Sequence, residues 1–174
     1  MRYGDNKPKY IRWAIYGALI GLSVILQNSG GGLLTFFGAQ AFIVIPVCIC
    51  ISMVEDELHG SLFGVLGGVL LDISGGKDCF NSVVMMLICA VCGLLISRLM
   101  RNNVLTALVL CSGGVAVYEL LYYVIQVLPY SNPLLSLLTF YLPSLVITVI
   151  FVPLCYKLVT FIYSSHKNAE ESEI

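Results

Sequence analysis

Two carboxylates, Asp72 and Glu119, stand inside apolar runs of this chain. A carboxylate in such surroundings is costly unless it pairs, caps a helix or acts on something. Asp72 closes a row of glycines, Gly60, Gly64 and Gly68, each four residues from the next, with Gly67 beside them. On a helix that spacing makes one bare ridge ending in an acid. The chemistry open to Asp72 is that of an acceptor: pinning the turn that follows, meeting a ligand or another protein, or passing a proton. Glu119 has Tyr122, Tyr123 and Gln126 on its own helical face, with Ser112 and Tyr118 nearby. That polar, aromatic stripe suits a small pocket, a face for a partner helix, or an internal network in which tyrosine hydroxyls satisfy the acid.

Other reactive residue types do not assemble into a known chemistry. Cys89-x-x-Cys92 has a metal-like spacing, but its segment holds no histidine and no second cysteine pair, and six of the seven cysteines lie in apolar runs as small hydrophobes. His59 and His166 fall in a turn and a tail. Phosphate loops and zinc motifs are absent. The expectation is a protein that is not an enzyme and that takes no metal or cofactor.

The elements that position these residues follow from composition. Of 174 residues, 59% are hydrophobic and 11% charged, and mean hydropathy is +0.94. A water-soluble domain of this size needs far more polar surface. A net charge of −1 offers no basic field for nucleic acid. An all-α, polytopic integral membrane protein is expected, a single transmembrane domain over residues 1–174 in the lipid bilayer. Spans of about 20 residues fit at 11–28, 33–54, 58–74, 80–100, 104–128 and 134–161, with short tails at 1–10 and 164–174. The basic start before the first span lacks a small-residue cleavage site, so that span is expected to stay. Asp56 is placed to cap the third span. Pro143 is tolerated at a helix start, and Pro153 should kink the last span. Eight of the nine Lys and Arg residues fall on one side when the N-terminus is inside, leaving only Lys77 outside. Both termini are therefore expected in the cytoplasm.

With these features assembled, the chain resembles the rod shape-determining protein MreD family over nearly its whole length. The most specific match is GSLFGVLGGVLLDISGG, which resembles the family's glycine-rich segment ending in G-L-L-x-D. Asn81 falls at a commonly seen Asn in the next turn, and YLPSLVITVIFVPL resembles the family's last helix, with Pro143 and Pro153 in matching places. Cys79-Phe80 departs from the family's usual Leu-Gly at that turn. The resemblance implies a fold similar to the substrate-binding subunits of energy-coupling-factor transporters. It also implies a non-enzymatic scaffold of cell-wall elongation in the bacterial inner (cytoplasmic) membrane. Its partners would be MreC and, indirectly, MreB, RodA and a class B penicillin-binding protein. In that reading the ridge of Gly60, Gly64, Gly67, Gly68 and Asp72 accepts a neighbouring helix, from within the bundle or from MreC. The alternative is a vitamin-type binding subunit of a membrane transporter, with Glu119, Tyr122, Tyr123 and Gln126 as its pocket.

Overall fold

The computed structural model describes residues 7–29, 35–36, 39–40, 42–75, 79–99, 102–127 and 142–172. The chain is all-α apart from a two-residue ladder. In order come α1 (Lys7–Asn28), β1 (Thr35–Phe36), β2 (Ala39–Gln40), α2 (Val44–Val54), α3 (Glu57–Gly75), α4 (Phe80–Arg98), α5 (Val104–Tyr122), a π-helical turn (Tyr123–Val127) and α6 (Leu142–Ser172). Five of these helices are long and apolar enough to cross a membrane, as expected of a multi-pass membrane protein.

The expected second span, 33–54, is not one helix. Among its described residues the helix is Val44–Val54, 11 residues, or roughly 16 Å at 1.5 Å per residue. Ahead of it Thr35 pairs with Gln40 and Phe36 with Ala39 in an antiparallel ladder. The cause is Pro46. A helix running through it would need its N–H on the Phe42 carbonyl, and proline has none. In the first turn that donor is not required, so the helix begins two residues upstream.

α2 is apolar all round, and every residue from Val44 to Met53 is buried. Such a helix belongs inside a bundle, and it packs against all five others. The core is built on it: Ile45, Ile49 and Ile51 meet Ile20 and Tyr16 of α1, Met85 and Cys89 of α4, Val115 of α5, and Val152 and Val159 of α6.

Polar ties fix the direction of each helix. Arg12 of α1 pairs with Glu55 at 2.7 Å, while Gln27 at the other end of α1 accepts the Val44 N–H at 3.3 Å. α1 and α2 are therefore antiparallel. Near Glu55, the Asn102 amide donates to the Met53 carbonyl at 3.1 Å, and the Tyr156 hydroxyl donates to Asn102 at 3.0 Å. Ser97 donates to Glu57 at 2.9 Å, and the Arg12 guanidinium lies 5.1 Å from the Tyr163 ring centre. At the opposite end, Asp72 reaches the start of α4, and the Phe42 N–H donates to Thr148 of α6 at 3.1 Å. The helices alternate in direction, and the start of α1 and the end of α6 lie together at the Glu55 end.

α6 is described from Leu142, and the expected residues 134–141 lie outside the described residues. At its other end one boundary differs from expectation: α6 runs on to Ser172 through most of the expected tail. Pro153 sits inside α6 without ending it, at the cost of one backbone bond to the Val149 carbonyl.

Candidate functional site

The glycine ridge is closed within the molecule. A methyl group added at Gly60 would come within 2.6 Å of Ser52 in α2. At Gly64 it would meet the Met85 carbonyl of α4 at 2.8 Å, and at Gly67 the Cys48 sulfur of α2 at 2.7 Å. At Gly68 it would lie 2.6 Å from the Asn81 carbonyl and closer still to the Ser82 Cα. Three glycines on one face let α3 approach two helices at backbone distance. Of the two expected occupants of this ridge, a helix of the bundle or a partner protein, the structure has the first: α2 and α4 occupy it. Gly93 repeats the device on α4, where a methyl would meet the Ser52 hydroxyl at 2.9 Å. That hydroxyl donates to the Cys89 carbonyl and ties α2 to α4.

Asp72, at the end of the ridge, is buried and saturated. Its carboxylate accepts the Asn81 N–H at 3.0 Å, the Ser82 N–H at 2.9 Å and the Ser82 hydroxyl at 2.5 Å. These are orphan donors of the first turn of α4, which a helix cannot satisfy for itself. Asp72 thus caps α4 from the neighbouring helix, and its charge faces the positive end of the α4 dipole. Asn81 links outward, its side-chain oxygen accepting the Tyr118 hydroxyl at 2.7 Å. Gly68 lets the two helices approach closely enough for this geometry.

Glu119 is also buried, with 5% of its surface exposed. The Ser144 hydroxyl donates to it from α6. Thr148, one turn later, donates its hydroxyl to the Ser144 carbonyl at 2.7 Å and accepts the Phe42 N–H at 3.1 Å. The chain of bonds joins α5, α6 and the start of α2. One carboxylate oxygen, Oε1, has no hydrogen-bond partner among the described residues. Buried carboxylate oxygens are ordinarily satisfied, so this atom marks the candidate site.

The rest of the expected stripe divides. Tyr123 is buried; Tyr122 stacks on Tyr118 with ring centres 6.3 Å apart and meets Phe80 edge-on at 6.2 Å. Phe42 packs against the other side of Tyr118 at 5.6 Å. An aromatic row therefore crosses from α2 to α4 beside Glu119. The π turn begins at Tyr123, whose N–H is shared between the Glu119 and Leu120 carbonyls. That turn shifts the register, and the side chain of Gln126 lies outside the described residues. Such turns recur at functional sites. Ser112 instead donates to the Val109 carbonyl of its own helix.

Comparison with protein-family models, with curated proteins and with solved structures finds no match. The site therefore stands on its own geometry.

The remaining singled-out residues are structural in placement. Asp56 precedes α3 and its carbonyl takes the first helical bond, from the Gly60 N–H at 2.8 Å; its side chain is exposed, 3.9 Å from His59. Cys89 and Cys92 are buried thiols, and no group of three or more His, Cys, Asp or Glu able to hold a metal occurs among the described residues. Sequence reasoning missed the pairing of Arg12 with Glu55, although both side chains are only 7% exposed. It read each charge separately, one as an orientation signal and one as part of an acidic turn. Their antiparallel neighbourhood was the signal that joins them.

Proposed function

We propose that this protein is a non-enzymatic membrane scaffold of the cell-wall elongation machinery, in the manner of the MreD family that its third span resembles. In this reading the bundle crosses the bacterial inner membrane six times. α2 and the ladder before it make the second crossing, as in a fold like that of the vitamin-binding transporter subunits. Arg12, Arg98 and Lys157 all lie toward the Glu55 end, which supports placing that end, and both termini, in the cytoplasm.

The observation that carries the reading is how the apolar faces are used. The glycine ridge is filled from inside, whereas α4 and α5 leave between them an open, wholly apolar groove of about 400 Å³. Val84, Val91, Val109 and Val117 line it, as does the exposed Gly113, which has nothing within 4 Å of an added methyl. The α2–α3, α3–α4 and α4–α5 connections are two to five residues long, so around α4 helix faces are the surface offered to partners. The groove is the face on which a single helix such as that of MreC would seat. The test is co-purification in detergent with MreC, followed by crosslinking from single introduced cysteines. Crosslinks from Val117→Cys and Val91→Cys are expected, with none from Leu62→Cys on the exposed face of α3 or from Leu22→Cys in the second apolar groove, between α1 and α6. Failure of the two proteins to co-purify removes the reading.

A second reading, a small-molecule-binding subunit of a transporter, is favoured by one observation: the Glu119 oxygen that no described residue satisfies.

A further inference from the structure

The α3–α4 and α5–α6 pairs run in the same direction, and each is tied at the same end of the bundle by the same bond. Asp72 accepts from the Ser82 hydroxyl, the third residue of α4; Glu119 accepts from the Ser144 hydroxyl, the third residue of α6. They differ in the residue before the serine. In α4 it is Asn81, whose N–H fills the second Asp72 oxygen at 3.0 Å. In α6 it is Pro143, which has no N–H to give. The Asp72 junction fills both carboxylate oxygens, whereas the Glu119 junction leaves Oε1 without a partner among the described residues.

We infer that the vacant acceptor on Glu119 is the binding point for a primary ammonium group of a small molecule entering the bundle from its Asp72 end. This rests on the second, ligand-binding reading and names its ligand class. An unpaired carboxylate with 5% of its surface exposed calls for a cation. Among the described residues every lysine, arginine and histidine lies toward the Glu55 end, so none of these faces Glu119. A metal ion is poorly served. Thr148 already donates and accepts, and the Ser144 hydroxyl is spent on Glu119. One open acceptor oxygen matches one strong N–H donor, and an ammonium ion gives the strongest such bond. The aromatic row of Phe42, Tyr118, Tyr122 and Phe80 adjoins the helical turn that carries Glu119, and aromatic rings favour an organic cation. Approach from the lipid side is closed to a polar group: Leu120 and Leu121, next to Glu119, are the residues turned outward, 60% and 37% exposed.

The test uses the full chain, purified in detergent, and follows thermal unfolding. The probes are methylammonium, butylammonium and phenethylammonium chlorides, with tetramethylammonium and sodium chlorides at equal ionic strength. A neutral and anionic vitamin panel runs beside them. A primary ammonium is expected to raise the melting temperature saturably, by about 4 °C at tenfold its dissociation constant. Tetramethylammonium, which has no N–H, should give no such rise, and Glu119→Gln should abolish it. Modification of Glu119 in the unaltered protein by dicyclohexylcarbodiimide, slowed by the same ammonium, gives a readout that needs no variant to fold. An equal effect of sodium, a shift that survives in Glu119→Gln, or no protection from the carbodiimide overturns the assignment. If vitamins without an amine stabilise the protein through Glu119, the ligand class falls while the binding reading stands; if nothing does, both fall.

Discussion

A single carboxylate can hold two helices at a fixed height, and Asp72 is such a residue. It satisfies two backbone N–H groups and a hydroxyl that would otherwise be orphaned at the start of α4. Asp72→Ala removes all three acceptor contacts and should cost about 2 kcal/mol, read as a lower unfolding midpoint in detergent. Asp72→Asn should recover part of the loss because one amide oxygen remains to accept. An Asp72→Ala protein as stable as the parent would mean that water replaces the cap. The acid and a turn-pinning role for it were legible in the sequence, since Asp72 stands just before the glycine turn. The identity of its partners was not: that Asn81 and Ser82 face it depends on how far α4 climbs alongside α3.

Packing between elements is decided here by where side chains are missing. Gly68 and Gly113 look alike in the sequence, as glycines in apolar spans, yet they have opposite surroundings. At Gly68 an added methyl meets the backbone of Asn81 and Ser82, whereas at Gly113 it meets nothing within 4 Å. Gly68→Leu must push α3 and α4 apart and should cost about 3 kcal/mol. Gly113→Leu should be neutral or gain up to about 1 kcal/mol from helix propensity, while blocking whatever seats in the groove. Paired melting curves check both, and equal losses in the two variants would contradict this arrangement. In cells, the proposed role makes both variants lose rod shape, one through instability and one with normal protein levels. The four-residue spacing made the ridge visible from sequence alone. Gly114, which meets Ile49 of α2 at 2.6 Å, could not be told from Gly113 beside it, because span periodicity does not reveal which face of α5 turns inward. The second span differs from expectation for a local reason: hydropathy runs on through residues 33–54, but Pro46 is accommodated most cheaply in a first turn, where its missing N–H is not needed.

At the scale of the whole molecule, the described residues form five long helices arranged around one short one. Six of the seven cysteines are buried and Cys79 alone is exposed, in the turn before α4. An impermeant thiol reagent applied to intact cells should therefore label Cys79 and no other cysteine if the Asp72 end faces outward. Labelling that requires lysis would invert the orientation. The same reagent reaches a deeper property of α2. At roughly 16 Å this helix covers about half of a 30 Å hydrocarbon layer. Alone in lipid, its ends and the strands before it would leave backbone groups without hydrogen bonds. It is stable only once α3 to α6 surround it, so its residence in the membrane is a product of assembly, not of insertion. In a chain cut after Val54, Cys48 and Cys50 should stay open to the reagent, and they should become protected only as the later helices are added back. The central helix of the finished protein is thus the last to be secured, although it is among the first to be synthesised.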